Sequence, residues 1–170
     1  MNVSYYLENI QIENHCSVPD GKYAEIKIAE YLMEQKIVFF DNLSPYVKLT
    51  DHYEYISYEL LCSLVRNLIN PNEKMIIRSY SIKEALERVR DDEELQMDFE
   101  GLYNQNKLFI NLKNGIYDIN AREIIPHDIN RCFNYCLNFS YIPEDKRKLE
   151  VFRNYIETSI GAENEQCLLR

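Results

Sequence analysis

A chain of 170 residues, 46% hydrophobic and 28% charged, can bury the core of one domain or two small lobes but not of several large domains. Its formal charge of -9 argues against a free-standing nucleic-acid binder, because phosphate contacts need clustered Lys and Arg, so any such contact has to be local. No apolar run approaches the roughly 18 residues of a membrane span, and the opening MNVSYYLENIQIENH lacks the basic start and apolar centre of a signal peptide, so a cytoplasmic location is expected.

In chain order, Gly21 to Gln35 place Tyr23, Ile26, Ile28, Ala29, Leu32 and Met33 at near-helical spacing with Lys and Glu between them, which predicts a half-exposed helix. Ile37-Val-Phe-Phe40 predicts a strand, and Asp41 to Pro45 is turn-rich. Residues 46–57 alternate on either side of Thr50-Asp51-His52, predicting a short hairpin with Tyr53 and Tyr55 on one face. Ser57 is the predicted N-cap of a helix whose apolar positions are 60, 61, 64, 65 and 68, ended by Asn70-Pro71. A second helix is predicted to follow Ser81, with Ser81 and Glu84 as a capping box and Ile82, Ala85, Leu86 and Val89 as the buried stripe. DDEELQMDFE at 91–100 holds six acids and no base, the pattern of a solvated helix end or linker.

Beyond residue 100 the hydrophobic period becomes two. Leu108–Leu112, Gly115–Ile119 and Glu123–His127 predict an antiparallel meander, with a tight turn at Asn114-Gly115, where both residues tolerate positive φ, and another near Asn120. Pro126 puts the third run at an edge or ends it, and 132–142 reads as a further extended segment. From Pro143, Leu149, Phe152, Tyr155 and Ile156 share one helical face up to Gly161, and a last helix is predicted from Ala162, still running at Arg170. The chain is accordingly read as a piece of something longer. The fold class is α+β. Residues 1–100 form a small helical and hairpin lobe with an acidic linker at its end, residues 101–170 a short antiparallel meander followed by C-terminal helices, and the two are compatible with one compact domain.

No catalytic, cofactor-binding or metal-ligating set is expected. The glycines at 21, 101, 115 and 161 belong to no phosphate-cradling loop, and His15, His52 and His127 have no nucleophile or metal pair beside them in sequence. The five cysteines are odd in number and imply no disulfide framework, and Cys132 and Cys136 lack the second ligand pair that structural zinc requires. The candidates for nucleic-acid contact are Lys146, Arg147 and Lys148 with Arg153, and a second group, Arg88 and Arg90. Against them stands the plainer reading of a solvated helix face, since Glu144, Asp145 and Glu150 lie beside the first group. The 14 tyrosines can stack on unpaired bases, but Tyr is also a favoured strand residue and, with no Trp present, supplies core bulk.

Asn114-Gly115-Ile116-Tyr117-Asp118, then Ile125-Pro126-His127, Phe133 to Leu137 and Tyr141-Ile142-Pro143 ahead of a helix form an ordered series. It resembles the segment that precedes the motor in the phage, plasmid and poxvirus primase-helicases. The resemblance implies the amino-terminal flanking domain of a superfamily 3 replicative helicase, a DNA-dependent ATPase that works as a ring. It further implies no cofactor in this chain, with ATP and Mg belonging to the absent helicase domain. The partners it implies are that covalently linked helicase domain, a primase domain, and DNA reached through the full-length protein, with oligomers formed only together with the helicase domain and no membrane. The cell would be the bacterial host. The alternative is a stand-alone α+β interaction module, or a winged-helix-like DNA-binding regulator built on the hairpin-helix-helix lobe.

Overall fold

The computed structural model describes residues 2–142. The helices predicted after Pro143, together with Lys146, Arg147, Lys148 and Arg153, lie outside the described residues. Within them the architecture is α+β: five helices and two three-stranded antiparallel sheets.

Helix α1 (Val3–Asn9) begins where the Asn2 side chain accepts the Tyr5 N–H at 3.1 Å. Helix α2 (Ala24–Gln35) starts three residues later than Gly21. Gly21 at φ 65° and Tyr23 at φ 54° are left-handed and cannot belong to the helix. Tyr23 therefore leaves the predicted stripe and is exposed, while Ala24, Ile28, Ala29 and Leu32 pack inward against α4.

The first sheet is β1 (Val38–Asp41), β2 (Ser44–Lys48) and β3 (Tyr53–Tyr55), in that order. Asn42 and Leu43 form a two-residue loop between Asp41 and Ser44, with Asn42 at φ 55°, so the turn-rich stretch is itself a hairpin. The predicted hairpin across Thr50-Asp51-His52 pairs Lys48 with Tyr53 and Tyr46 with Tyr55. Tyr53 is 4% exposed, with its ring 5.1 Å from Phe39, whereas Tyr55 is 57% exposed, because the core reaches only the first of the two.

Helix α3 (Tyr58–Leu68) follows the predicted cap, with the Ser57 hydroxyl accepting the Leu60 N–H, and it buries Leu61, Leu64, Val65 and Leu68. Helix α4 (Ser79–Arg90) buries the predicted Ile82, Ala85, Leu86 and Val89 but starts two residues before Ser81. The capping box is not formed. Ser81 is buried in the first turn, and Arg78 occupies the cap position without a side-chain bond. The entry is held from α3 instead: the Arg66 guanidinium donates to the carbonyls of Lys74 and Ile77 at 3.3 and 3.1 Å and to the Ser79 hydroxyl at 3.1 Å.

The acidic stretch is not solvated throughout. Leu95 and Phe99 enter the core, and the Met97 N–H donates to the Phe40 carbonyl at 2.8 Å, which straps the stretch along β1. Asp92 caps a 3-10 turn (Glu93–Leu95), and Asp98 accepts the Gly101 N–H at 2.9 Å to start α5 (Phe99–Gln105), a helix the hydrophobic spacing does not predict.

The second sheet is the predicted meander: β4 (Phe109–Leu112), β5 (Gly115–Asp118) and β6 (Glu123–Ile125), with Pro126 directly after the last strand. Residues 133–141 run along the other edge of β4. They are joined to it by Leu137 N–H to the Asn111 carbonyl at 3.0 Å, Lys113 N–H to the Phe139 carbonyl at 3.1 Å, and one parallel bridge at Leu112 and Leu137. The predicted extended segment is thus an irregular edge tie and not a further strand. Cys16, Cys62, Cys132 and Cys136 are free thiols.

Candidate nucleic-acid interface

The hairpin at Asn114-Gly115 divides its labour differently from the expectation that both residues take positive φ. The register pairs Leu112 with Gly115, so Lys113 and Asn114 form the two-residue loop and Gly115 opens β5. Of the pair, Gly115 alone has positive φ, at 142°, and a Cβ there would lie 2.5 Å from the Ile125 carbonyl oxygen. The contribution of Asn114 is its side chain: Nδ2 donates to the Tyr141 carbonyl at 2.8 Å and Oδ1 accepts the Tyr141 N–H at 2.9 Å. This amide clasp imitates a strand pair, and the Tyr141 ring sits 4.8 Å from that of Tyr117. A physical bond therefore links the hairpin to the Tyr141-Ile142 step, which the sequence alone associates only by order.

Asn111, on β4, is fully buried and ties the two sheets together. Its Nδ2 donates to the Asp51 carbonyl at 2.9 Å and the Tyr135 carbonyl at 2.8 Å, and its Oδ1 lies 3.1 Å from His127 Nδ1. The Tyr53 N–H adds a bond to the Phe133 carbonyl at 2.8 Å. Beside this junction, burial pushes the Asp51 carboxyl up, but hydrogen bonds from His52 and Cys136 outweigh it and hold the group below the usual carboxylate range. Burial and then the Asp51 hydrogen bond push the Cys136 thiol up to about 12. Burial and the hydrogen bond to Glu54 likewise push Tyr5 up to about 12. A thiol and a phenol held this firmly protonated are poor nucleophiles. Cys132 donates to the Asn130 carbonyl at 3.3 Å while Cys136 faces Asp51, so the two thiols do not converge on a metal position. Among the described residues no group of three or more His, Cys, Asp or Glu is arranged to hold a metal ion.

Of the predicted basic candidates, Arg88 and Arg90 lie on the last turn of α4, where Arg88 is exposed and Arg90 Nε pairs with Asp91 at 3.2 Å. The structure assembles a different group. A cavity of about 260 Å³ opens between α5, β4 and residues 131–135, walled by Phe99, Tyr103, Phe109, Phe133 and Tyr135. Lys107 lines it as well, and just outside the lining the Arg131 guanidinium stacks 3.8 Å from the centre of the Phe109 ring. Its walls come from three stretches of chain, one of them the unpredicted α5, so no local spacing reveals it. The one signal available in the sequence is the aromatic density at 99–109 and 133–135.

The family model described as "D5 N terminal like" matches residues 57–161, more than half of the chain. The matched span takes in α3, α4, the cavity, Asn111 and the Asn114 clasp. No curated protein matches the chain.

Proposed function

Because the chain belongs to the D5 N-terminal-like family, the N-terminal domain of the phage, plasmid and poxvirus D5-type primase-helicases, we propose that it is a non-catalytic domain placed ahead of a superfamily 3 ATPase motor. In this reading it helps the motor assemble or engage DNA. The family match over residues 57–161 carries the proposal.

The full-length protein would supply the covalently linked helicase domain, with its ATP and Mg, and a primase domain as a further neighbour. DNA would be met through that full-length protein, in the cytoplasm of a bacterial host, and Lys146, Arg147, Lys148 and Arg153, with Arg88 and Arg90, would add phosphate contacts there. No described helix is long and apolar enough to cross a membrane. The test is the coding sequence downstream of Arg170 together with the activity it encodes: a P-loop ATPase is expected, and its absence would sink the proposal. Specific duplex binding by the 170-residue chain, with a steep salt dependence, would favour the stand-alone regulatory module instead.

A further inference from the structure

We propose that the cavity between α5, β4 and residues 131–135 receives one unpaired nucleobase of a single-stranded nucleic acid, with the adjoining phosphate on Lys107. The proposal rests on the reading of the chain as part of a DNA-replication protein, and it adds a site to it.

The walls offer π faces at graded depth. Phe99 and Phe133 are each 5% exposed and form the inner wall, whereas Tyr103 is 62% exposed and stands at the mouth. Aromatic faces stack on any base, because every base has a π face of its own. At about 260 Å³ the space falls just under the roughly 300–1,000 Å³ of whole small-molecule sites, a size suited to one heteroaromatic ring with its sugar outside.

The polar groups are arranged for a ring that carries an anion. Asn106 Nδ2 is committed to the Leu102 and Arg131 carbonyls at 3.0 and 2.7 Å, while its Oδ1 takes no donor among the described residues and can accept from a base amino or imide N–H. Lys107 is exposed on the cavity lining. Arg131 lies outside the lining, stacked on Phe109; among the described residues its Nε has no hydrogen-bond partner and a loose ion pair to Asp128 at 4.0 Å. Among the residues that line the cavity Lys107 is the one cation, and no lining residue is acidic. A purely apolar peptide side chain would use the rings and leave Lys107 and Asn106 Oδ1 idle.

One base and one phosphate predict weak binding by the isolated chain, so the test reads residues and not gel shifts. The 170-residue chain is titrated with a short oligothymidylate while backbone amide NMR signals are followed. Shifts are expected to centre on Tyr103, Lys107, Phe109 and Asn134, with log affinity falling against log salt at a slope of about 0.7 for a single phosphate. Tyr103→Ala should weaken binding about tenfold, Tyr103→Phe should leave it unchanged, and Lys107→Glu should weaken it and flatten the salt slope. Because Tyr103 and Lys107 are exposed, the remaining signals should stay in place and confirm folding. The proposal is overturned by the absence of shifts at these residues, by an unaltered affinity in Tyr103→Ala, or by equal affinity for a hairpin duplex or an abasic strand. A base site in a protein without a P-loop ATPase would overturn the family role and leave the site standing; a DNA-stimulated motor whose cavity stays empty would do the reverse.

Discussion

Asn111 and Asn114 are alike in sequence and unlike in consequence. Asn111 is fully buried, and its carboxamide satisfies the carbonyls of Asp51 and Tyr135 and contacts a ring nitrogen of His127, so truncation leaves two part-buried carbonyls without their donor. Asn111→Ala should cost about 3 kcal/mol, against about 1 kcal/mol for the exposed clasp lost in Asn114→Ala; urea denaturation of the two variants checks the ranking, and equal costs would refute it. Nothing in the residue type distinguishes the two. Both fall in a strand-turn-strand stretch, and only the register and the partner 60 residues away, at Asp51, decide. Asp51 also carries a pH signature. Its folded pKa is depressed, so its contribution is present above the unfolded value of about 3.9 and is lost as pH falls through the folded one. The stability gap between the wild type and Asp51→Asn should be widest near neutrality and narrow below about pH 4; a gap that widens in acid would contradict the assignment.

At the scale of elements, what the hydrophobic period could reach was legible. The stripes of α3 and α4, the meander and the hairpin at 50–52 all follow from apolar positions that face one core. Element starts were less legible, because a cap is decided by whatever touches it. Ser81 and Glu84 look like a capping box, yet Arg66 reaches from α3 to hold the preceding loop and lets α4 begin at Ser79. A working N-cap at Ser81 would make Ser81→Ala cost about 1 kcal/mol. The expectation here is a change within about 0.5 kcal/mol, with about 2 kcal/mol lost in Arg66→Ala. Thermal or urea unfolding separates the two outcomes. Helix α5 carries no clear periodic signal because it is only seven residues long and is capped by Asp98 inside an acidic run, where charge masks the buried Leu95 and Phe99. The cavity is hidden in the sequence for the same reason, since α5 is one of its walls.

Over the whole molecule, the hairpin at Lys113-Asn114 and its physical links lie within the span that the D5 N-terminal-like model matches. Gly115 permits the turn, Asn114 clasps the chain at Tyr141, and Asn111 locks the second sheet to the first through Asp51. The basic positions singled out from sequence remain a proposal about the full-length protein, because Lys146, Arg147 and Lys148 lie outside the described residues. The most direct measurement is ATP hydrolysis by the full-length protein, with and without single-stranded DNA, in the wild type and in a variant carrying Lys146→Glu, Arg147→Glu and Lys148→Glu. The proposed role predicts DNA-stimulated hydrolysis in the wild type and, in the variant, reduced stimulation over an unchanged DNA-free rate; a full-length protein that hydrolyses no ATP would contradict it.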